Sequence, residues 1–406
     1  MKYIVILGDG MGGRPIASLG GKTTLEAADT PHMDKLAREG ECGLLKTLIE
    51  GYPMGSDVAN LTVLGYEPRK YYTGRSPLEA LDLSLDVGEK DLVFRANLVN
   101  VTDTENLEDA TMVDHSSDKI TDAEAAELIE ALQPILPEGM ELYAAASYRN
   151  ILLWRGYLER YDYQLDLMPP HDMLEKNVGE KLPKGNGADL LTELTRKSRE
   201  ILENHPVNLA RKAKGLRAAN CLWMWGDGTR PMLDSFEGRF GIKAAMITAV
   251  PLLGGIGFGT GMGKIKVENV TGDIHTNFEG KANAAIDALK AGYDFAFVHM
   301  EAPDECGHDG NIEEKVTSIE YVDRRALGVI MDRLDELDDE VRILLLPDHA
   351  TPIEARTHTS DLIPYAMWSN KTELLPHASA YSEKAAAENG LLMPEGTGLM
   401  PHFLGK

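Results

Sequence analysis

Cysteine is scarce. The 406 residues hold three, Cys42, Cys221 and Cys306, with no CxxC pair and no even set to form a framework. That favours a reducing compartment, although a periplasmic protein without disulfides has the same composition. Long apolar runs are missing as well. Tyr3–Leu7 is too short for a signal-peptide core and runs into Asp9. The longest uncharged run, Ala244–Met262, contains Pro251 and the glycines Gly254, Gly255, Gly257, Gly259 and Gly261, so a buried strand and loop is expected there. Positive charge is in deficit. The formal net charge of −24 argues against nucleic acid or an anionic membrane as a partner over most of the surface. An anionic small molecule stays open, because metals and a few arginines make one cleft locally positive. A cytoplasmic location is expected, and a homo-oligomer is left open.

What is present is ordinary for a soluble globular protein: 43% hydrophobic and 26% charged residues, with length for two or three domains. Short runs apolar on both faces, at 2–7, 43–48, 244–250, 295–299 and 341–346, suit parallel strands covered by helices. Helical patterns fall at 31–38, 277–291 and 312–337. Asp29-Thr30-Pro31 supplies the start signals of the first. The middle differs. Thr121-Asp-Ala-Glu124 is a capping box opening a helix to about Leu136, followed by strand-like 141–146 and 151–154 and a charged helix over 188–204. The fold class is therefore α/β. The expected organisation is a discontinuous core, 1–80 and 221–406, interrupted by a smaller α+β domain over 81–220.

The opening "ILGDGMGG" poses a choice between a glycine-rich nucleotide loop and a strand end carrying a metal-binding aspartate. Gly8, Gly10 and Gly13 match G-x-G-x-x-G, but Arg14-Pro15 and Gly20-Gly21 follow before any helical pattern settles. "SLGGKTT" ends like a P-loop, yet Ile16 stands where its first glycine belongs. Four segments carry the chemistry instead. They give Asp9, then Ser56 at the start of a helix, then Asp304 and His308 in a loop-borne DxxxH, then Asp348-His349 with His358. Three of the four follow β-like runs, where α/β sheets place their sites. Carboxylate with imidazole is the mixture of a catalytic Zn²⁺ or Mn²⁺ site, and a helix start behind Ser56 favours an incoming phosphate. A hydroxyl beside two metals is a strong nucleophile at neutral pH.

In that order the motifs resemble the alkaline phosphatase superfamily, and within it the archaeal-type 2,3-bisphosphoglycerate-independent phosphoglycerate mutases. The similarity runs through "GDGMGG", "LGGKTTLEAADTPHMDKLAREG", "GSDVANLTVLGYEPRKYYTGRSPLEA", "MVDHS", "APDECGHDG" and "DHATPIEARTHTSDLIPY". It implies an alkaline phosphatase-like core with a substrate-binding lid domain inserted. It implies Ser56 as the nucleophile that becomes phosphoserine. One ion would be held by Asp304, His308 and His358, the other by Asp9, Asp348, His349 and the Ser56 oxygen. The two ions would be divalent, manganese first, with Mg, Zn or Co open.

For the phosphorylated substrate the middle region offers Asp114-His115, Arg149 and His171-Asp172. Guanidinium groups suit carboxylate and phosphate. After "DHS" the family pattern runs toward a second histidine, where this chain has Ser117-Asp118-Lys119. The resemblance implies an isomerase that interconverts 3- and 2-phosphoglycerate. A homoserine kinase-like transferase using ATP is the alternative, because a branch with very similar motifs is proposed to have that activity, and a metal-dependent phosphomonoesterase is the third reading.

Overall fold

Every residue from Tyr3 to Leu7 is buried, as a strand covered on both faces requires, and this stretch lies inside an eight-stranded sheet. The computed structural model describes all residues, Met1–Lys406. They divide into two units, Met1–Tyr72 with Met232–Lys406, and Thr73–Pro231.

In the first unit the sheet order is Gly263–Lys264, Ala244–Ile247, Phe295–Met300, Lys2–Gly8, Val341–Leu346, Ile363–Ser369, Glu41–Leu45 and Leu392–Met393. The five from Gly263–Lys264 to Val341–Leu346 are mutually parallel. Ile363–Ser369 runs antiparallel to both its neighbours. Helices Pro31–Glu39 and Phe278–Lys290, with the segment around Val322–Ile330, pack onto one face in a continuous apolar core with Ile4, Ile6, Val298 and Ile343.

Two expectations are corrected. The loop expected after the 244–250 strand is a helix, Pro251–Gly259, behind a strand of Ala244–Ile247. Its Gly257 packs so tightly that a Cβ there would stand 3.0 Å from the Met246 Cβ. The single helix expected over 312–337 is broken into Ile312–Tyr321, a π-helical turn Val322–Leu327 and Gly328–Asp332. At the π turn, buried Asp323 accepts from the Met33 amide at 2.7 Å and from His32 Nδ1 at 2.8 Å. It thereby satisfies an open N–H at the start of the Pro31–Glu39 helix, which an unbroken helix pattern does not foretell.

The second unit carries a five-stranded antiparallel sheet. Leu92–Val101 pairs with Met112–Asp114, Arg149–Trp154 and Cys221–Thr229, and Arg149–Trp154 pairs with Met140–Ala146. Helices Asp122–Leu132 and Ala188–Leu202 bury Leu128, Leu132, Leu191 and Leu194 against Phe94, Leu152 and Leu222. Thr121 and Glu124 form the capping box read from the sequence.

Candidate metal centre

Asp9, Glu301 and Asp348 stand just past the C-terminal ends of three adjacent parallel strands, Lys2–Gly8, Phe295–Met300 and Val341–Leu346. The register sets Leu7 between His299 and Leu346, so these carboxylates converge. Gly10 makes the turn beside them at φ +61°, where a Cβ would lie 2.5 Å from Asp304 Oδ1. Its amide donates to Asp348 Oδ1 at 3.3 Å. No helix begins on the "GDGMGG" glycines, and the "GKTT" segment is a capping box on the short Thr24–Ala27 helix.

Asp304 and His308 lie on the helix Ala302–Asp309, not on a loop, so their spacing of four puts both on one face. His308 Nδ1 donates to the Arg356 carbonyl at 3.0 Å, and His358 Nδ1 to the Met54 carbonyl at 2.8 Å. Carbonyls only accept, so each neutral ring carries its hydrogen on Nδ1. Two bare Nε2 atoms then face each other at 3.0 Å, with Asp304 oxygens 3.2 and 3.5 Å away. That geometry demands a positive charge between them. A proton feels the same pull: hydrogen bonding to Asp304 raises the His308 pKa to about 9.

Ser56 opens the helix Ser56–Val63, with Gly55 as its N-cap. Its Oγ is 3.1 Å from His349 Nε2. The Thr351 hydroxyl donates to Asp304, so it accepts from His349 Nδ1 at 3.3 Å. The His349 Nε2 is thus bare toward Ser56 and toward Asp9 Oδ1, which is 3.4 Å away. Asp348 is held by its neighbour's amide at 2.9 Å and by Asn60 Nδ2 at 2.9 Å. The same Asn60 amide donates to the Ser56 carbonyl at 2.8 Å, tying the serine to Asp348.

The electrostatics ask for cations. Asp9 is fully buried, and its pKa is raised well above the usual range, first by burial and then by Asp348, Glu301 and Asp304. Its Oδ1 and Glu301 Oε2 are buried without any hydrogen-bond partner. Buried Lys315 bridges the Gly12 and Thr351 carbonyls, and buried Lys281 holds the His299 carbonyl. Burial brings both amines down to about 8, and each is spent on backbone carbonyls, not on the carboxylates. Asp304–His308–His358 and Asp9–Asp304–His349 each bring their ligand atoms within 4.8 Å of one another, as does Asp9–His299–Glu301. Orphaned carboxylate oxygens and bare imidazole nitrogens make a donor set that fits divalent ions.

A family model described as 2,3-bisphosphoglycerate-independent phosphoglycerate mutase matches residues 37–208. A Geobacter sulfurreducens protein is 45% identical over 100% of both chains. The 2,3-bisphosphoglycerate-independent phosphoglycerate mutase of Methanothrix thermoacetophila is 42% identical over 98% of each. This chain belongs to the 2,3-bisphosphoglycerate-independent phosphoglycerate mutase family. A solved structure from Pyrococcus horikoshii, 30% identical, superposes with a TM-score of 0.82, covering 100% of this chain and 97% of that one.

Within this mutase-family chain, Asp9, Ser56, Asp304, His308, Asp348, His349 and His358 all meet in the first unit. The residues singled out in the second unit separate. His115 packs edge-on to Tyr148 and His171, with ring centroids 5.7 and 6.1 Å apart, and His171 lies 5.2 Å from the Trp225 ring. Arg149 stacks on Tyr148 at 4.9 Å, and Arg95 on Trp225 at 5.1 Å. Burial, then His115, Arg95 and Arg75, lowers the His171 pKa against the pull of Asp172. Asp114 points elsewhere: its carboxylate accepts from the Ser116 and Asp118 amides and from Arg217. Asp172 is largely exposed, 3.7 Å from His171 Nε2.

Sequence reasoning missed Asn60, His299, Glu301, Thr351, Arg75, Arg95 and Trp225. Asn60 stands one helical turn after Ser56, and Glu301 follows its strand as Asp9 follows its own. Those two carried a usable signal.

Proposed function

We propose that this chain interconverts 3-phosphoglycerate and 2-phosphoglycerate through a phosphoserine at Ser56. The observation that carries the reading is the Ser56 Oγ at a helix start, 3.1 Å from the Nε2 of His349, itself a member of one of the clustered sets of ligand atoms. Asp304, His308 and His358 would hold one divalent ion, and Asp9, Asp348, His349 and the Ser56 oxygen the other. Such ions, when bound, neutralise phosphoryl charge and lower the pKa of a hydroxyl. The mixed carboxylate and imidazole set favours Mn²⁺, with Mg²⁺, Zn²⁺ and Co²⁺ as alternatives.

The chain's own part is positional. Ser56 Oγ forms its bond to phosphorus and loses its proton while the bond from phosphorus to the 3-oxygen breaks. That oxygen takes up a proton. The glycerate reorients, and its 2-hydroxyl reverses the exchange, so no nucleotide or bisphosphoglycerate is needed. The Ser56–Val63 helix start, which its N-cap Gly55 leaves without a side-chain cap, suits an incoming phosphate. We assign the grip on the substrate's anionic groups to the second unit, through His115, His171 and Arg149 together with Arg75, while buried Arg95 is already bonded to Glu79. Asp114, occupied by its own loop, and exposed Asp172 have the weaker claim.

A cytoplasmic location belongs to the same reading. No helix is long and apolar enough to cross a membrane, and Cys42, Cys221 and Cys306 are buried and unpaired. The test is acid quenching during turnover of 3-phosphoglycerate, followed by peptide mass spectrometry. A phosphoryl group on the Ser56 peptide is expected, and turnover without any phosphoserine would overturn the mechanism.

A further inference from the structure

His299 sits on the Phe295–Met300 strand, between the strands that end just before Thr248 and Asp9. Register pairs Ile247 with Val298 and Leu7 with His299, so the ring lies between those two side chains. The ring is fully buried. Its Nε2 is 2.9 Å from Asp9 Oδ2, and its Nδ1 is 3.2 Å from Thr248 Oγ1. The Val250 amide donates to that hydroxyl oxygen at 3.0 Å. The Thr248 hydroxyl has one hydrogen to give, and His299 Nδ1 is the acceptor it meets. In a neutral ring the hydrogen therefore stands on Nε2 and is donated to Asp9.

We propose that His299 is a positioning residue for Asp9. The chain Val250 amide, Thr248 hydroxyl, His299 imidazole fastens one oxygen of the Asp9 carboxylate. It leaves Oδ1, the orphaned atom, directed at His349 Nε2 and free to bind an ion. Glu301 Oε2, 3.5 Å from Nε2, is the one rival acceptor, and Lys281 secures the His299 carbonyl from the preceding helix, Phe278–Lys290. The arrangement reserves one aspartate oxygen for the metal. This proposal rests on the reading of Asp9 as a ligand.

The experiment is calorimetric titration of the metal-free full chain with Mn²⁺, alongside circular dichroism to check the fold. His358→Ala, which lacks a ligand of the other set, identifies the isotherm of the Asp9 set. His299→Leu is expected to weaken the Asp9 site by about 10- to 100-fold and leave the other unchanged. His299→Gln keeps an N–H near the Nε2 position and is expected to return most of that affinity. Thr248→Val is expected to weaken the same site by at least about threefold, and Thr248→Ser to restore it. The Thr248 pair decides the matter if His299→Leu does not fold. Wild-type affinities in His299→Leu and Thr248→Val would overturn the proposal alone. So would a His299→Gln as weak as His299→Leu. A wild-type chain that binds no ion at Asp9 would overturn both the proposal and the reading beneath it.

Discussion

Ser56 Oγ and His349 Nε2 stand 3.1 Å apart although 293 positions separate them in the chain. The His349 ring is oriented from its other nitrogen by Thr351, so the bare Nε2 can meet only a donor or a cation. The contact places the hydroxyl among the ligand atoms without any other hydrogen-bond duty for it. Ser56→Ala is therefore expected to reduce turnover by at least about a thousandfold. Metal content of the variant, read by elemental analysis, should stay near the wild-type value at the Asp304 set. Retained turnover would remove Ser56 from the mechanism.

His358 joins Met54, two residues before the serine, to Asp304 and His308. His358→Ala takes away a ligand nitrogen and this tether together. Bound metal should fall along with the rate, and unchanged stoichiometry would contradict the assignment.

Asn60 is buried and donates to both Asp348 and the Ser56 carbonyl. Asn60→Ala leaves a buried carboxylate oxygen short of a donor, at a cost of about 1–3 kcal/mol. Urea denaturation of the metal-free chain should show that loss, and the variant should bind metal more weakly. A midpoint equal to the wild type would remove Asn60 from this role.

Asp114 gives the acid limb. Burial alone would raise its pKa, but the Asp118 and Ser116 amides, the Ser116 hydroxyl and Arg217 outweigh burial and hold it below the ordinary value. A lowered folded-state pKa means stability that is present above the unfolded value of about 4 and is lost as pH falls through the folded value. Asp114→Asn should thus destabilise the chain at neutral pH, with the gap from wild type closing as pH drops below about 4. A pH-independent gap in thermal midpoints would contradict this.

Removal of metal by a chelator should lower the thermal midpoint by several degrees, restored by Mn²⁺ in a concentration-dependent way. The carboxylates Asp9, Asp304 and Glu301 repel one another in the metal-free fold. Equal midpoints with and without Mn²⁺ would count against ions at this centre.

Much of this was legible in the chain, for a physical reason. A strand covered on both faces must be apolar throughout, so the polar residues that follow it, Asp9 and Asp348, stand out against the run. Asp304 and His308 stand out by following a β-like run, although the loop expected for them is the helix Ala302–Asp309. The glycine-rich run Ala244–Met262 misled in the same way. His299 and Thr351 left little trace, because their importance lies in side-chain contacts between distant segments. The π turn at Val322–Leu327 answers to Asp323 reaching a different helix, and no local pattern encodes that.

The central claim is most directly tested by phosphorus NMR of the Mn²⁺-loaded chain with 3-phosphoglycerate and no nucleotide. The account predicts a growing 2-phosphoglycerate signal that approaches a fixed ratio to the substrate. Free phosphate alone, or phosphoryl transfer that starts only when ATP and homoserine are added, would contradict it.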